Sequence, residues 1–329
     1  GRRRFTPGII LEGGAVDSNG AVYVVGEFAG SADFGSTTLT SVGDDDGFVA
    51  TLDASGSVQW AKRWGNVAED SAKGIDVDAA GNVYALGGRL GDAYDIMKFS
   101  SSGSTVWSKT IVNRSMLGSA DLAVNATGTV YVAGSFDGTV DFDPSAKSKN
   151  VSSGAARAGF VLKLDTNGKF GWVSPFLGKR VGSTNSASGA MSTARDVGGN
   201  IITGGTFNGT VDFNPGSGTN YLTTQSGGFI TKLNSAGVLV WAKPLLGNAS
   251  TFVYGLDTDA AGNIYATGTY AGIVDLDPSA GVLSRTSAGQ SDMYVMKLTS
   301  SGSLVWAETF GGAGDDISFG ISVDANGEV

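Results

Sequence analysis

Apolar and polar residues alternate with a period of two in short runs along this 329-residue chain. Val22-Tyr23-Val24-Val25 and Val130-Tyr131-Val132-Ala133 are examples, each closed by glycine at 26 and 134. Successive side chains of a strand point to opposite faces, so this pattern predicts half-buried β-strands.

The runs recur. Gly-x-[Val/Ile]-Tyr stands at 20–23, 81–84, 128–131 and 262–265, with a variant at Gly199–Ile202 and a further start at Gly327. Tryptophans at 60, 107, 172, 241 and 306 each follow a glycine by four residues. Recurrence with unequal spacing predicts a repeated scaffold with variable loops.

Each unit reads as four strands. The first is small and apolar, as in Gly74-Ile75-Asp76-Val77-Asp78 or Gly320-Ile321-Ser322-Val323-Asp324. A turn follows, as in Asp17-Ser18-Asn19-Gly20 and Asp78-Ala79-Ala80-Gly81. Asp or Asn opens such a turn by accepting a backbone N–H two residues on, and Gly ends it where φ > 0 is needed. The second strand carries the Tyr, and its closing Gly lets neighbouring backbones approach. The third strand covers 47–52, 95–99, 159–164, 228–233 and 293–298. A compact hairpin turn then leads to the Trp-bearing fourth.

Four antiparallel strands joined in sequence make a meander, the blade of a β-propeller. The predicted fold is therefore an all-β propeller of four-stranded antiparallel blades. It is read as a single domain over 1–329. Five complete repeats span about 9–66, 67–113, 114–178, 179–248 and 249–312, and a partial sixth covers 313–329. A six-bladed ring fits best, with five or seven blades as alternatives. Arg2 to Phe5 are expected to supply an outer strand of the last blade, or else that blade is completed from elsewhere. Small residues in the first strand suit crowding near an axis. The recurring Trp is expected as packing between blades rather than as a ligand platform.

Composition narrows the chemistry. A net charge of −9 argues against nucleic-acid binding, which needs a basic face. Arg2-Arg3-Arg4 reads as a solvated arm. The chain has no Cys and no His, so thiolate chemistry, disulfides and a Ser-His-Asp arrangement within it are excluded. No apolar run approaches the length of a membrane-spanning helix. The segment Gly1–Gly8 lacks the apolar core of a signal peptide, so the chain is expected to be a mature product or a fragment.

These motifs resemble a known family. Asp76 to Gly87, Phe136 to Pro144 and Phe160 to Trp172, with their equivalents, resemble the SBBP-type bacterial β-propeller repeat from about Ile9 onward. The second repeat departs by lacking the Asp-Phe-Asp-Pro segment, and the fourth has Ile202 in place of Tyr. The resemblance implies a secreted or cell-surface placement and interaction roles, with no catalytic residue. The turn-to-Trp segment is also similar to quinoprotein repeats. Those enzymes have eight blades and commonly a vicinal disulfide, which this chain cannot form.

Candidate chemistry sits in the connections between second and third strands. Asp141-Phe142-Asp143-Pro144, Asp212-Phe213-Asn214-Pro215 and Asp275-Leu276-Asp277-Pro278 share one motif, with a remnant at Asp33-Phe34-Gly35. Oxygens at i and i+2 can ligate Ca²⁺ with backbone carbonyls. The metal candidates are thus Asp141, Asp143, Asp212, Asn214, Asp275 and Asp277. The same residues equally fit an Asx turn fixed by Pro over a packed apolar side chain. Glu69-Asp70, Asp315-Asp316 and Asp44-Asp45-Asp46 form either an acidic rim that attracts cations or basic partners, or solvated surface. Sequons at Asn113, Asn125, Asn150, Asn208 and Asn248 are incidental if the source is bacterial. No phosphate-binding loop motif is present.

The expected function is a non-enzymatic extracellular or cell-surface propeller for protein or glycan interaction or surface architecture. Alternatives are a structural repeat of an extracellular filament or surface layer, with self-association through the incomplete terminal blade, and a carbohydrate-active or quinoprotein-like enzyme.

Overall fold

The computed structural model describes residues 8–89, 93–112, 120–154, 156–181, 184–324 and 326–329. Arg2–Phe5 and Asn113 lie outside these residues. The described strands pair antiparallel, and no helix occurs among the described residues.

The chain gathers into two compact units. One comprises Gly1–Val130, Val140–Asn150 and Leu164–Gly171, and the other Tyr131–Thr139, Val151–Lys163 and Trp172–Val329. In the first unit, Ile9–Val16, Val22–Phe28, Asp46–Leu52 and Val58–Trp64 form a four-stranded sheet in chain order. Asp70–Val77, Val83–Arg89, Ala93–Phe99 and Thr105–Val112 form a second. In the second unit, Ala187–Arg195, Ile201–Asp212, Tyr221–Leu233 and Leu239–Gly247 make the fourth repeat. Thr251–Thr258, Ile264–Asp275, Ser284–Leu298 and Leu304–Phe310 make the fifth. The fourth strand of the third repeat, Phe170–Val181, pairs Leu177 with Asp212 across the repeat boundary. Leu246 pairs with Asp275 in the same way one repeat later.

The turn chemistry follows from the sequence. Asp17, Asp78, Asn125 and Asp259 each accept the backbone N–H groups two and four residues on, at 2.8–3.0 Å. The glycines that close these turns, Gly20, Gly81, Gly128 and Gly262, have φ of 76–81°, a region that costs an L-residue strain.

Two irregularities recur and shape each sheet. The first strand slips its register between Leu11 and Gly13, Ala72 and Gly74, Ala190 and Ser192, and Val253 and Gly255. A bulge of this kind bends the strand and raises its twist. The closing glycine of the second strand lies beneath it. A Cβ on Gly205 would stand 1.9 Å from the Gly189 carbonyl oxygen, and one on Gly268 the same distance from that of Phe252. A second slip falls just before the Trp, at Thr51/Leu52, Lys232/Leu233 and Lys297/Leu298.

The cores lie between sheets. Val25, Val49, Ala72, Ile75, Val83, Met97 and Phe99 cluster in the first unit. Ile202, Ile230, Val253, Leu256, Ile264 and Met296 cluster in the second.

One predicted element differs. Gly320–Asp324 was expected as a first strand, yet no strand is formed there. Its turn is in place, with Gly327 N–H donating to the Asp324 carbonyl at 3.0 Å and a Gly327 φ of 85°. Each other first strand pairs with the second strand of its own repeat, and no such partner lies beside 320–324 among the described residues. Without a ladder, an apolar alternation does not make a strand.

Candidate functional site

The three Asp-x-Asp/Asn-Pro loops share one hydrogen-bond plan. Asp141 Oδ1 accepts from Asp143 N at 3.1 Å and from Lys149 N at 2.7 Å. Asp212 Oδ1 accepts from Asn214 N and Asn220 N, at 3.0 and 2.8 Å. Asp275 Oδ1 accepts from Asp277 N and Leu283 N, at the same two distances. In each loop, one oxygen therefore holds both ends of the excursion. The second residue caps a further turn: Asp143 accepts from Ser145 N, Asn214 from Gly216 N and Asp277 from Ser279 N, at 2.9–3.0 Å.

Between the two polar residues an apolar side chain goes inward. Phe142, Phe213 and Leu276 are wholly buried. Phe213 packs on Phe229 with ring centroids 4.8 Å apart, within a cluster that includes Phe176 and Phe207. Each motif is thus a buried anchor flanked by two Asx turns. Calcium takes six to eight oxygens. Here the loops offer two side chains each, and one oxygen of each is already bonded to backbone. Among the described residues, no group of three or more Asp or Glu is placed to hold a metal ion.

The acidic residues of the other connections are not a solvated rim throughout. Asp45, Asp46 and Asp70 are buried, with Asp46 wholly so. Asp46 Oδ2 accepts from Val42 N at 2.8 Å and from the Arg63 guanidinium at 2.6 Å. Asp70 Oδ2 caps Asn66 N at 2.8 Å, as Asp316 Oδ2 caps Gly312 N at 2.7 Å. Asp44 and Glu69 are exposed.

A second set of polar side chains links successive repeats. The indole N–H of Trp60 donates to the Ser101 carbonyl at 3.0 Å, and that of Trp107 to Thr166 at the same distance. Trp172 donates to Ser235 at 3.2 Å and Trp241 to Ser300 at 3.3 Å. In every case the acceptor is the second residue of the next repeat's hairpin turn. The ring lies over the glycine that ends that turn: a Cβ on Gly103 would stand 2.7 Å from the Trp60 ring, and one on Gly237 2.8 Å from Trp172. The tryptophans are half-buried in these contacts.

A lysine reinforces three of the four latches, those of Trp107, Trp172 and Trp241, whereas Thr51 stands opposite Trp60. Lys98 donates to Thr166 Oγ1 at 3.1 Å, Lys163 to the Ser235 carbonyl at 2.9 Å and Lys232 to the Ser300 carbonyl at 3.0 Å. Behind the lysine stands the Asp of the same repeat's first turn. Lys232 lies 2.8 Å from Asp196, Lys297 3.4 Å from Asp259 and Lys98 3.8 Å from Asp78. Lys98 and Lys297 also cover the rings of Tyr84 and Tyr265. Burial works to raise the Asp196 carboxyl, but hydrogen bonds from Lys232 and Asn200 and the lysine charge outweigh it and hold the group below the ordinary range. Tyr23 is pushed up to about 12 by burial and by its hydrogen bond to Asp17. The lysines escaped notice as functional residues, although their recurrence before Leu or Phe at 98, 163, 232 and 297 was visible.

A shallow pocket of about 270 Å³ lies in the second unit, lined by Arg195, Asp196, Val197, Thr258, Asp259, Ala260, Val323 and Asp324. Asp196 and Asp259 are engaged with lysine there.

No protein-family profile matches the chain, and no curated protein does. Among solved structures it is similar to a protein of unknown function from Bacteroides caccae, at 12% identity, with a TM-score of 0.45 over 94% of this chain and 86% of that one. It is similar to a candidate gluconolactonase at 15% identity, with a TM-score of 0.35 over 93% and 90%. A member of the DUF4221 family from Bacteroides vulgatus gives 11% identity and a TM-score of 0.37 over 94% and 82%. At these values the likenesses carry no argument about function.

Proposed function

We propose that this chain is a non-enzymatic β-propeller scaffold, secreted or displayed at a cell surface, that presents variable loops to a protein or glycan. Its four-stranded repeats act as blades, in a six-bladed ring of the SBBP-type repeat. The observation that carries this reading is the division of labour among polar side chains. Those that recur from repeat to repeat tie turns, loops and neighbouring repeats together. The connections between second and third strands differ in length and sequence, so specificity can vary there without disturbing the frame. The Asp-x-Asp/Asn-Pro residues serve as loop clasps in this reading, and Ca²⁺ binding is the alternative role for the same side chains.

Binding of the purified chain to glycan and protein arrays tests the proposal. Saturable binding that is weakened by loop substitutions, with Trp latches intact, is the expected result. Turnover of a glycan or alcohol substrate overturns it.

A second reading, as a structural subunit of an extracellular assembly, is favoured by one feature. The first repeat's first strand, Ile9–Val16, is largely exposed, whereas Thr251–Thr258 is made of buried and half-buried residues.

A further inference from the structure

We infer that Asp46 and Asp70, where the first repeat runs into the second, hold a monovalent alkali cation such as Na⁺ between them. The inference goes beyond the binding role above and does not depend on it.

Three observations carry it. The first is an orphaned atom in the interior. The Asp46 side chain is wholly buried, and its Oδ2 accepts from Val42 N and from Arg63. Its Oδ1 has no hydrogen-bond partner among the described residues. A carboxylate oxygen taken out of water without replacement is costly, so this one calls for a positive partner. The second is a convergence. A Cβ on Gly65 would stand 2.2 Å from Asp46 Oδ1 and 3.1 Å from Asp70 Oδ2. Both carboxylates thus close over one residue that has φ of 139° and no side chain. Backbone carbonyls crowd the same place: that of Asp45 accepts from Asp70 N at 2.8 Å, and that of Gly65 lies 3.4 Å from the Arg63 guanidinium. Carboxylates and carbonyls together replace the hydration shell of a hard cation.

The third is co-occurrence. The residue opening the third strand is Asp46, Ala158, Gly227 or Asp292, and the residue facing it from the next connection is Asp70, Ser188, Thr251 or Asp316, in that order. One backbone bond fixes the equivalence. Asp70 N donates to the Asp45 carbonyl, Ser188 N to that of Arg157 and Asp316 N to that of Ser291, at 2.7–3.1 Å. At these four places the two acids stand together or not at all. Like charges in the interior repel, so such a pairing implies something positive between them.

Charge sets the class of ion. Arg63 offsets one of the two carboxylates, at 2.6 Å from Asp46, and leaves a single negative charge over Gly65. Calcium takes six to eight oxygens, and no group of three acids among the described residues is placed to hold a metal ion. A singly charged ion matches both facts. In the fifth repeat Thr309 stands at the place of Arg63. The charge differs there, and the inference is confined to Asp46 and Asp70.

Thermal unfolding of the full chain in sodium chloride and in choline chloride, at one ionic strength, tests this. Choline is too large for the site, and equal ionic strength removes general screening. The midpoint should stand about 2 °C higher in sodium and rise with the logarithm of its concentration. Asp70→Asn should abolish the difference, and Asp44→Asn, an exposed neighbour, should preserve it. In choline Asp70→Asn should be at least as stable as the natural chain, because it removes an uncompensated charge; in sodium it should be the less stable. Sodium-23 line broadening by the natural chain, reversed by added potassium, reads binding directly and requires no variant to fold. Equal midpoints in the two salts together with an unbroadened sodium line overturn the inference, and a water or a shared proton then joins the two carboxylates. A sodium effect that survives Asp70→Asn overturns it as well.

Discussion

Lys232 and Asp196 form an ion pair at 2.8 Å with side chains only 7% and 4% exposed, and the same ammonium donates to the Ser300 carbonyl one repeat away. A buried pair is weak evidence of net stability, but losing one partner strands the other. Lys232→Met should therefore cost about 3 kcal/mol, read as a lower denaturation midpoint with an unchanged slope. The double variant Lys232→Met/Asp196→Leu should recover part of that loss, since no charge is left buried.

The same pair sets an acid limit. The Asp196 carboxyl is held below its ordinary value in the folded chain, for the reasons given above. A depressed carboxylate contributes stability above its unfolded value and loses it as pH falls through the folded one. The stability gap between the natural chain and Asp196→Asn should be full at neutral pH, constant down to about pH 4, and should close below that. Urea titrations at stepped pH would show it. A gap that instead closes between neutral pH and pH 5 would mean another group is titrating.

Close backbone approach gives a sharper stability test. A Cβ on Gly205 would overlap the Gly189 carbonyl oxygen, so Gly205→Ala must shift backbone at the bulge. It should cost about 3 kcal/mol. Gly14→Ala, on the first strand of the first repeat, meets no such overlap. It should be neutral or add about 0.5 kcal/mol by stiffening the unfolded chain. Thermal unfolding of the two variants side by side separates a required glycine from a tolerated one.

These contrasts show what the sequence reveals. Asp or Asn with Gly three residues on was readable as a turn, because both the Asx hydrogen bond and the positive φ are local. The strand alternation and the Gly-to-Trp spacing gave the repeat for the same reason. The latch was only half readable. Trp and Lys recur in sequence, but their acceptors stand 41 to 72 residues away, and no local rule names a carbonyl as partner. Gly320–Asp324 misled because its alternation matches a strand, whereas a strand also needs a neighbour. Asp46 and Asp70 misled because acidic residues in loops are usually solvated, whereas here the backbone N–H groups of tight loops draw them inward.

The Asp-x-Asp/Asn-Pro loops remain the place where metal chemistry and loop architecture predict different outcomes. Asp212 Oδ1 holds two backbone N–H groups that close the loop over Phe213, whereas Asn214 caps one. If the motif is a clasp, Asp212→Ala should cost about 2 kcal/mol and Asn214→Ala about 1 kcal/mol, since hydrogen bonds to a charged acceptor are the stronger. Asp141→Ala and Asp275→Ala should behave like Asp212→Ala. Thermal unfolding should then be the same with millimolar Ca²⁺ and with a chelator. A ligand bound only by the folded chain at about 100 times its Kd adds roughly 2.7 kcal/mol, which a melting curve resolves. An upward shift with Ca²⁺ that disappears in Asp143→Ala and Asp277→Ala would make the second position a metal ligand. A clasp is lost mainly at the first position and a metal site at both, so the pattern across Asp141, Asp143, Asp212, Asn214, Asp275 and Asp277 decides between them.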